Sequence, residues 1–427
     1  MPFSLNFLRI IKPYKANVQH WENGKSNWTA VTTGSVANSI MYLAAEEEFY
    51  ELLPRFLRSM NTYLSGFEED GVCQEGYNYW WYGFGYFLQF SSLLKQYTNG
   101  EYDLLKGQKL QNIAEFQQKV LMGKNMRISF SDADSTSFKH DIGYTHFIYR
   151  NFENIEIPSN EDIMFMDDDH CYRWGAFIRR FLWTDLSFTD NTISKKSCLL
   201  KDAQWYIKNT ENYSFAAKGG HNNEPHNHND LGSFILNVNN KHLLTDIGAE
   251  EYVLDYFSAE RYTKFLATSS RGHSLPIIDG SYQLQGTEHK GVIEVATDNN
   301  FELSFEKAYG IDYLKSIRRR FEFDENSIIL KDTYSFDKKP ESITERFITL
   351  EKPELRGNQV TVQNIKIIFN PNELECILSD EVYSNHQGNP TTANIIDFKV
   401  LNLAAHIECE FKIEILNLQK QCFNNCY

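Results

Sequence analysis

Three of the chain's 12 histidines lie in the segment from His221 to Asp230, where they alternate with amide, carboxylate and proline residues. An apolar run with strand propensity, residues 231–238, follows directly, so we expect the histidines at the mouth of a sheet. In an extended strand, His226 and His228 would project to the same side. Two imidazoles on one side can bind a metal ion or take part in the hydrogen bonds of a turn, and the spacing alone leaves both readings open.

Metal binding requires a third ligand, and Asp246 and His273 are the candidates later in the chain. A His, Asp and His set with an open or water-filled fourth position is suited to zinc. A zinc hydrolase that uses metal-bound water is one alternative. It is disfavoured because no glutamate general base stands at the helical spacing of such sites.

A second group of candidates lies in the aromatic segment 74–86, which Gly76 and Gly83 interrupt. The glycines make this segment a poor ordinary helix start and a good cleft wall, and for any single tyrosine in it core packing is the favoured interpretation. Upstream, residues 26–29 are typical of a helix N-cap region, and capping is the local interpretation of Asn27.

Two regions with different residue patterns must position these residues. Residues 1–195 predict consecutive helices, and residues 196–427 alternate β-branched or aromatic residues with polar ones, which favours an antiparallel β-sandwich. The predicted helices span 30–48, 52–64, 84–97, 110–122 and 171–182. The clearest predicted strands span 327–336, 360–369, 395–403 and 407–415.

Composition excludes several classes of protein. The net charge of −15 argues against a general nucleic-acid binder, because no basic excess exists to displace counterions from phosphates. No segment approaches the roughly 20 apolar residues that span a bilayer. The seven cysteines lack metal-type spacing and are expected to be mostly reduced, buried thiols and not a disulfide framework. No export signal follows Met1, so we expect a cytoplasmic protein as the sequence stands, or a periplasmic or secreted one if an N-terminal segment is missing. The oligomeric state is not predicted.

Four segments together resemble the heparinase II/III-like polysaccharide lyases, in the order found in that family. They are residues 26–31, 75–83, 218–234 and 272–274. The histidine block is the most specific of them, and the resemblance extends over nearly the whole chain. It implies an α+β multidomain fold, with an incomplete (α/α) toroid followed by an antiparallel β-sandwich. It also implies β-elimination on a uronic-acid glycan, such as a glycosaminoglycan or alginate, with an acidic polysaccharide or oligosaccharide as partner.

The resemblance also implies roles for individual residues. Tyr82 matches the catalytic tyrosine, His226 the active-site histidine, and Asn27 the amide that engages the substrate carboxylate. The zinc ligands implied by the family, for a structural ion near the active site, are His228, Asp246 and His273. The residues expected to contact substrate are Tyr262, Tyr79, Trp28 and Arg271.

The sequence departs from the family pattern in three places. Trp28 stands where some members have a histidine, and Ser274 stands where many have an asparagine. Only 26 residues precede Asn27, so the toroid is expected to be truncated at its N-terminus. A non-catalytic glycan-binding remnant with a structural zinc site is therefore the alternative to a lyase.

Since the chain is acidic overall, an anionic substrate would need a local basic patch. The residues that flank the histidine segment in sequence are Lys218, Arg261, Lys264 and Arg271. A solvated rim is the alternative for each of them. The run Arg318-Arg319-Arg320 lies in a predicted strand of the sandwich, and all three arginines are expected to be structural.

Overall fold

The computed structural model describes residues 9, 11–124, 126–134, 141–157, 173–188 and 193–416. The chain forms two compact units, and each is described by itself. The first comprises residues 1–118 and 139–194, and the second comprises residues 119–138 and 195–427. Among the described residues, no helix combines the length and the apolar character that crossing a bilayer would require.

The first unit is helical. Its helices are α1 (Asn27–Leu43), α2 (Glu46–Leu64), α3 (Tyr77–Tyr97), α4 (Gln108–Lys119), α5 (Ile142–Asn151) and α6 (Trp174–Trp183). The predicted helices correspond to five of these, and α5 was not anticipated. The aromatic segment is also helical from Tyr77 onward, contrary to the expectation of a helix that starts near residue 84. Burial of Tyr77, Trp80 and Phe84 in the core compensates for the low helix propensity of aromatic residues.

Gly83 allows α1 and α3 to approach closely. A Cβ atom at this position would lie 2.8 Å from the Tyr63 hydroxyl and 2.9 Å from the Asn27 Cβ. A glycine is therefore needed where the first residue of α1 meets α3, and this contact holds Asn27 next to the turn of α3 that carries Tyr82.

The second unit is built mainly of antiparallel strands. In chain order they are β1 (Cys198–Leu200), β2 (Trp205–Asn209), β3 (Ser214–Lys218), β4 (Gly220–Asn222), β5 (Phe234–Val238), β6 (Lys241–Leu244), β7 (Pro276–Ile278), β8 (Gly286–Ala296), β9 (Asn300–Ser304), β10 (Leu314–Phe323), β11 (Ser327–Phe336), β12 (Ile343–Thr349), β13 (Glu354–Arg356), β14 (Gln359–Val362), β15 (Ile365–Phe369), β16 (Leu374–Ser384), β17 (Pro390–Val400) and β18 (His406–Ile415). A short helix, α7 (Arg261–Lys264), lies between β6 and β7.

Within the described residues, these strands form three sheets. The sheet orders are β1-β2-β3-β5-β6, β13-β14-β15-β18-β11-β10-β9-β8-β4 and β16-β17-β12-β7. Alternating residues of the central strands β10, β11 and β18 are buried, as the period of two predicts. Buried side chains from all three sheets, among them Phe234, Phe321 and Phe347, share one hydrophobic core. That core fixes the ends of the strands from which the site loops emerge.

The α+β class predicted from the sequence is confirmed by helices and large antiparallel sheets in one chain. The predicted strands 327–336 and 407–415 correspond to β11 and β18, and the predicted strand 360–369 is divided into β14 and β15. The toroid, the sandwich and the single boundary near residue 195 remain predictions.

Candidate active site and metal centre

The histidine segment begins with His221 and Asn222 in β4, and its residues 223–230 form an irregular turn towards β5 and not an extended strand. His226 has a left-handed backbone with φ of 57°, which is uncommon for a residue other than glycine. Strand alternation therefore does not place His226 and His228 on one side, contrary to the expectation. The two rings nevertheless converge, because both contact the carboxylate of Asp132.

Asp132 is the centre of a buried hydrogen-bond network in the second unit. Its side chain is fully buried. The groups that contact its carboxylate are Nδ1 of His226 at 2.6 Å, Nε2 of His228 at 3.0 Å, the hydroxyl of Tyr252 at 3.1 Å, the hydroxyl of Tyr256 at 2.6 Å and Nη2 of Arg261 at 3.0 Å. An ionised carboxylate only accepts hydrogen bonds, and five donors can share its two oxygens only in that state.

The charge state of Asp132 follows from these partners. Burial by itself would raise the pKa of Asp132, but the hydrogen bonds from His226 and His228 and the charge of Arg261 lower it well below the usual value. Burial would also lower the pKa of Arg261, but the Asp132 charge raises it. Asp132 is thus an anion at neutral pH, and Arg261 is its counter-ion.

Four buried side chains next to this network could hold a metal ion. His228, Asp230, Asp246 and His273 each offer one ligand atom, and these four atoms lie within 4.8 Å of one another. Within the described residues, each of these four also carries one buried polar atom that makes no hydrogen bond, namely Nδ1 of His228, Oδ2 of Asp230, Oδ2 of Asp246 and Nδ1 of His273. The last two of these atoms lie 3.4 Å apart as an ion pair. Buried polar atoms are rarely left unpaired, so four in one place fit a cation as their common partner.

The other end of each of these side chains is fixed by a hydrogen bond. The contacts are His228 Nε2 to Asp132 at 3.0 Å, Lys218 Nζ to Asp230 Oδ1 at 2.7 Å, Gly248 N to Asp246 Oδ1 at 2.9 Å and His273 Nε2 to the Ala267 carbonyl at 2.7 Å. Nε2 of His228 and Nε2 of His273 each face an oxygen that only accepts hydrogen bonds, so each Nε2 must carry a proton. In the neutral imidazole the lone pair is then on Nδ1, which can bind a metal ion. Such outer hydrogen bonds typically orient metal-binding histidines.

The charges within this set are coupled. Burial lowers the pKa of His228, which favours the neutral, ligand-competent imidazole. Burial would raise the pKa of Asp246 and lower that of His273, but their mutual attraction reverses both shifts. Nδ1 of His273 must therefore lose its proton before it can act as a ligand.

Arg319 on β10 connects the loop that carries His228 and Asp230 to the loop that carries His273. Its buried guanidinium donates to the Gly232 carbonyl at 2.8 Å and to the Ser274 carbonyl at 2.7 Å, and it forms a two-pronged ion pair with Asp332. Burial raises the pKa of the neighbouring Glu345 well above the usual value, and the Asp332 charge adds to this rise. The structural role predicted for Arg319 is consistent with these contacts.

Two of the predicted catalytic residues lie in the first unit. Asn27 is buried at the start of α1, where Ser26 is the N-cap residue, and the Asn27 amide donates to Glu75 at 2.9 Å. The local interpretation of Asn27 as a capping residue is therefore wrong. Tyr82 on α3 is half-buried, and the Arg173 guanidinium lies 4.6 Å from the centre of its ring.

The predicted substrate contacts are distributed over both units. Trp28 is 61% exposed and Tyr79 is half-buried, both in the first unit. In the second unit, Tyr262 donates to the Asn227 side chain at 3.0 Å, which connects it to the histidine segment. Arg271 forms an ion pair of 3.1 Å with Glu381.

The expected basic patch differs from what the structure shows. Lys218 and Arg261 are buried and pair with Asp230 and Asp132, so they form neither a solvated rim nor a substrate-facing patch. Exposed Lys264 pairs with an aspartate of its own loop. These cations mainly balance charges of the protein itself.

Solved structures of known proteins share this architecture. The structure resembles heparan sulfate lyase HepC from Pedobacter heparinus with a TM-score of 0.66 and 13% identity, over 92% of this chain and 60% of that one. The chain therefore has a heparinase-like polysaccharide lyase fold. Heparinase III gives a TM-score of 0.64 at 14% identity, over 92% of this chain and 61% of that one. A Streptomyces coelicolor chondroitin AC lyase in complex with chondroitin sulphate gives 0.51 at 9% identity, over 92% and 61%.

The heparinase-like fold confirms the resemblance predicted from the sequence. The chain spans about three fifths of the length of these solved structures. A scan against protein-family models and a search of curated proteins find no match.

Sequence reasoning missed Asp132 and Asp230, and it also missed Tyr252 and Tyr256, which donate to Asp132. Asp132 lies in a short polar stretch of residues 129–134 that has no recognisable pattern, and only the folded chain brings it to the histidines. Asp230 stands inside the histidine segment, two residues after His228, and could have been added to the predicted ligands from that spacing.

Proposed function

We propose that this protein is a polysaccharide lyase that cleaves a uronic-acid-containing glycan by β-elimination. The observation that carries the proposal is the heparinase-like fold over 92% of the chain. Buried, preorganised polar groups around His226 support it, because clusters of this kind are typical of functional sites.

The reaction removes the proton at C5 of a uronate and breaks the bond between C4 and O4. The electron pair of the C5–H bond becomes the C4=C5 double bond, and O4 leaves with the bonding pair and takes up a proton. The C5 proton is weakly acidic while the neighbouring carboxylate is ionised, so groups that hydrogen-bond this carboxylate stabilise the enolate-like intermediate.

We assign Asn27 and His226 to the uronate carboxylate, and Tyr82 to proton transfer as general acid and base, with His226 as its partner. The Asn27 amide has two N–H groups, so the hydrogen bond to Glu75 leaves a second one for substrate. Tyr262, Tyr79, Trp28 and Arg271 are proposed to contact the glycan outside the reacting bond.

The metal centre is proposed to bind zinc through His228, Asp246 and His273, with Asp230 as fourth ligand. Histidine nitrogen and carboxylate oxygen atoms are both zinc ligands, and structural zinc sites have a closed set of four protein ligands. A bound zinc ion would neutralise the two aspartates and hold the loops after β4 and before β7 in place.

The proposed substrate is an acidic glycosaminoglycan, since the structural neighbours include enzymes named for heparan sulfate and chondroitin. Zinc-loaded protein should release products that carry the ultraviolet absorbance of an unsaturated uronide from at least one member of a panel of heparan sulfate, chondroitin sulfate and alginate. A folded, zinc-loaded protein that forms no such product on the whole panel is not a lyase of this class.

Tyr82→Phe tests the assignment of the tyrosine. It should lower kcat by about 100-fold or more, the lower end of what a positioned acid or base contributes. The matched control is Tyr86→Phe, one helical turn further along α3 and in ring contact with Tyr82 at 5.6 Å. Equal activity of the two variants would contradict the role of Tyr82. Glycan binding without product by wild type and by Tyr82→Phe would favour the non-catalytic alternative.

A further inference from the structure

The carboxylate of Asp132 joins His226 to the metal centre. One of its oxygens contacts Nδ1 of His226 at 2.6 Å, and the other contacts Nε2 of His228 at 3.0 Å. Neither the family resemblance nor the fold comparison assigns a role to this residue.

The other partners of Asp132 prevent it from turning away. Tyr252 donates to the oxygen that His226 contacts, while Tyr256 and Arg261 donate to the oxygen that His228 contacts. Both carboxylate oxygens of Asp132 therefore accept hydrogen bonds from more than one donor. Rotation of the carboxylate would break bonds at both oxygens, so its orientation is held by more contacts than one.

The His226 ring is held from several sides. Its backbone is in the left-handed region, its ring stacks on Tyr252 at 6.3 Å, and the Phe257 ring lies edge-on at the same distance. The side chain is 19% exposed, whereas those of Asp132 and His228 are fully buried. His226 therefore reaches solvent, as does the half-buried Tyr252, whereas Asp132 and His228 do not.

We propose that Asp132 is a positioning residue that holds His226 as the Nδ1–H tautomer, with Nε2 as the basic nitrogen of the ring. An acceptor-only carboxylate opposite Nδ1 requires a proton on Nδ1, which leaves the lone pair on Nε2. The same carboxylate orients His228, so the loop geometry at the metal centre and the ring of His226 are set by one residue. The catalytic part of this inference rests on the proposed lyase function.

The tautomer of His226 can be measured by NMR spectroscopy in the absence of substrate. In long-range ¹H–¹⁵N spectra of zinc-loaded, ¹⁵N-histidine-labelled protein, His226 should show a protonated Nδ1, its signals being identified by their loss in His226→Gln. In Asp132→Asn, an amide nitrogen that faces Nδ1 should shift His226 towards the Nε2–H form. A wild-type His226 in the Nε2–H form would overturn the proposal even if the variant failed to fold.

The kinetic readout separates positioning from structural support. At equal folded fraction and equal zinc content, Asp132→Asn should lower kcat by about 100-fold with KM changed by less than about threefold, as loss of positioned acid–base catalysis predicts. Tyr256→Phe removes a donor from the same carboxylate and is the control. It should lower the melting temperature but keep the tautomer and keep kcat within about threefold.

The failures of the two hypotheses are distinguishable. If wild type cleaves no glycan of the panel, the lyase proposal fails, while the spectra still decide whether Asp132 sets the tautomer. If wild type is active and Asp132→Asn retains both kcat and the Nδ1–H tautomer, the role of Asp132 is wrong and the lyase proposal stands.

Discussion

Replacement of Arg319 by methionine should destabilise the second unit severely. The guanidinium is fully buried, its partner Asp332 is fully buried, and the pair lies beneath the loops that carry the metal centre. Methionine fills a similar volume but removes every donor. The change therefore isolates the loss of charge and hydrogen bonding from the loss of packing.

The expected magnitude follows from the groups left without partners. Removal of one member of a buried ion pair costs about 3–5 kcal/mol. The carbonyls of Gly232 and Ser274 also lose a charged donor, at about 1–3 kcal/mol each if water cannot replace it. We therefore expect a loss of at least about 5 kcal/mol, which is comparable to the whole stability of an ordinary domain.

Hydrogen exchange at increasing urea concentration, followed by mass spectrometry in β11, measures the stability of this unit directly. The matched control is Arg320→Met at the next position of β10, where the arginine is 47% exposed and pairs with exposed Glu322. The control should cost less than about 1 kcal/mol. If Arg319→Met costs no more than the control, the buried guanidinium does not hold these loops together.

Three further predictions concern the metal centre, one buried carboxyl group and the helical unit. Zinc at 100 times its Kd should stabilise the second unit by about 2.7 kcal/mol in the same exchange measurement, and His273→Ala should abolish this gain; an equal gain in the variant would exclude His273 as a ligand. Because the pKa of Glu345 is raised in the folded chain, the folded chain keeps a proton that the unfolded chain loses above about pH 4.3. The free energy of unfolding should therefore fall by about 1.4 kcal/mol per pH unit as the pH rises from about 4.3 towards the folded-state pKa. Glu345→Gln mimics the protonated form and should therefore gain stability relative to wild type from pH 5 to pH 8 in urea titrations, whereas a constant difference would contradict a protonated Glu345. Gly83→Ala should lower the melting temperature of the helical unit, because its Cβ would overlap Tyr63 and Asn27 at a cost of about 1–3 kcal/mol. The control Gly175→Ala should raise the melting temperature slightly, because a Cβ there meets no atom of the described residues within 4 Å. The opposite order would contradict the close packing of α1 and α3.

Local sequence pattern predicted much of the architecture. Strands β11 and β18 follow from alternation with a period of two, and most of the helices follow from apolar residues at helical spacing. The start of α3 did not follow, because burial of its aromatic rings outweighs their local helix propensity. The helix α5 was missed as well.

The sequence by itself determined the residue types of the candidate site, since His226, His228 and Asp230 are neighbours in the chain and Asp246 and His273 could be proposed from chemistry. The tertiary structure alone decided how they are arranged. Asp132 lies 94 residues before His226 and 129 before Arg261, and only folding brings its carboxylate to both. The tertiary structure also decided that Lys218 and Arg261 are buried counter-ions. A sequence shows that a side chain is charged, but it does not show whether the folded chain places an oppositely charged, buried group beside it.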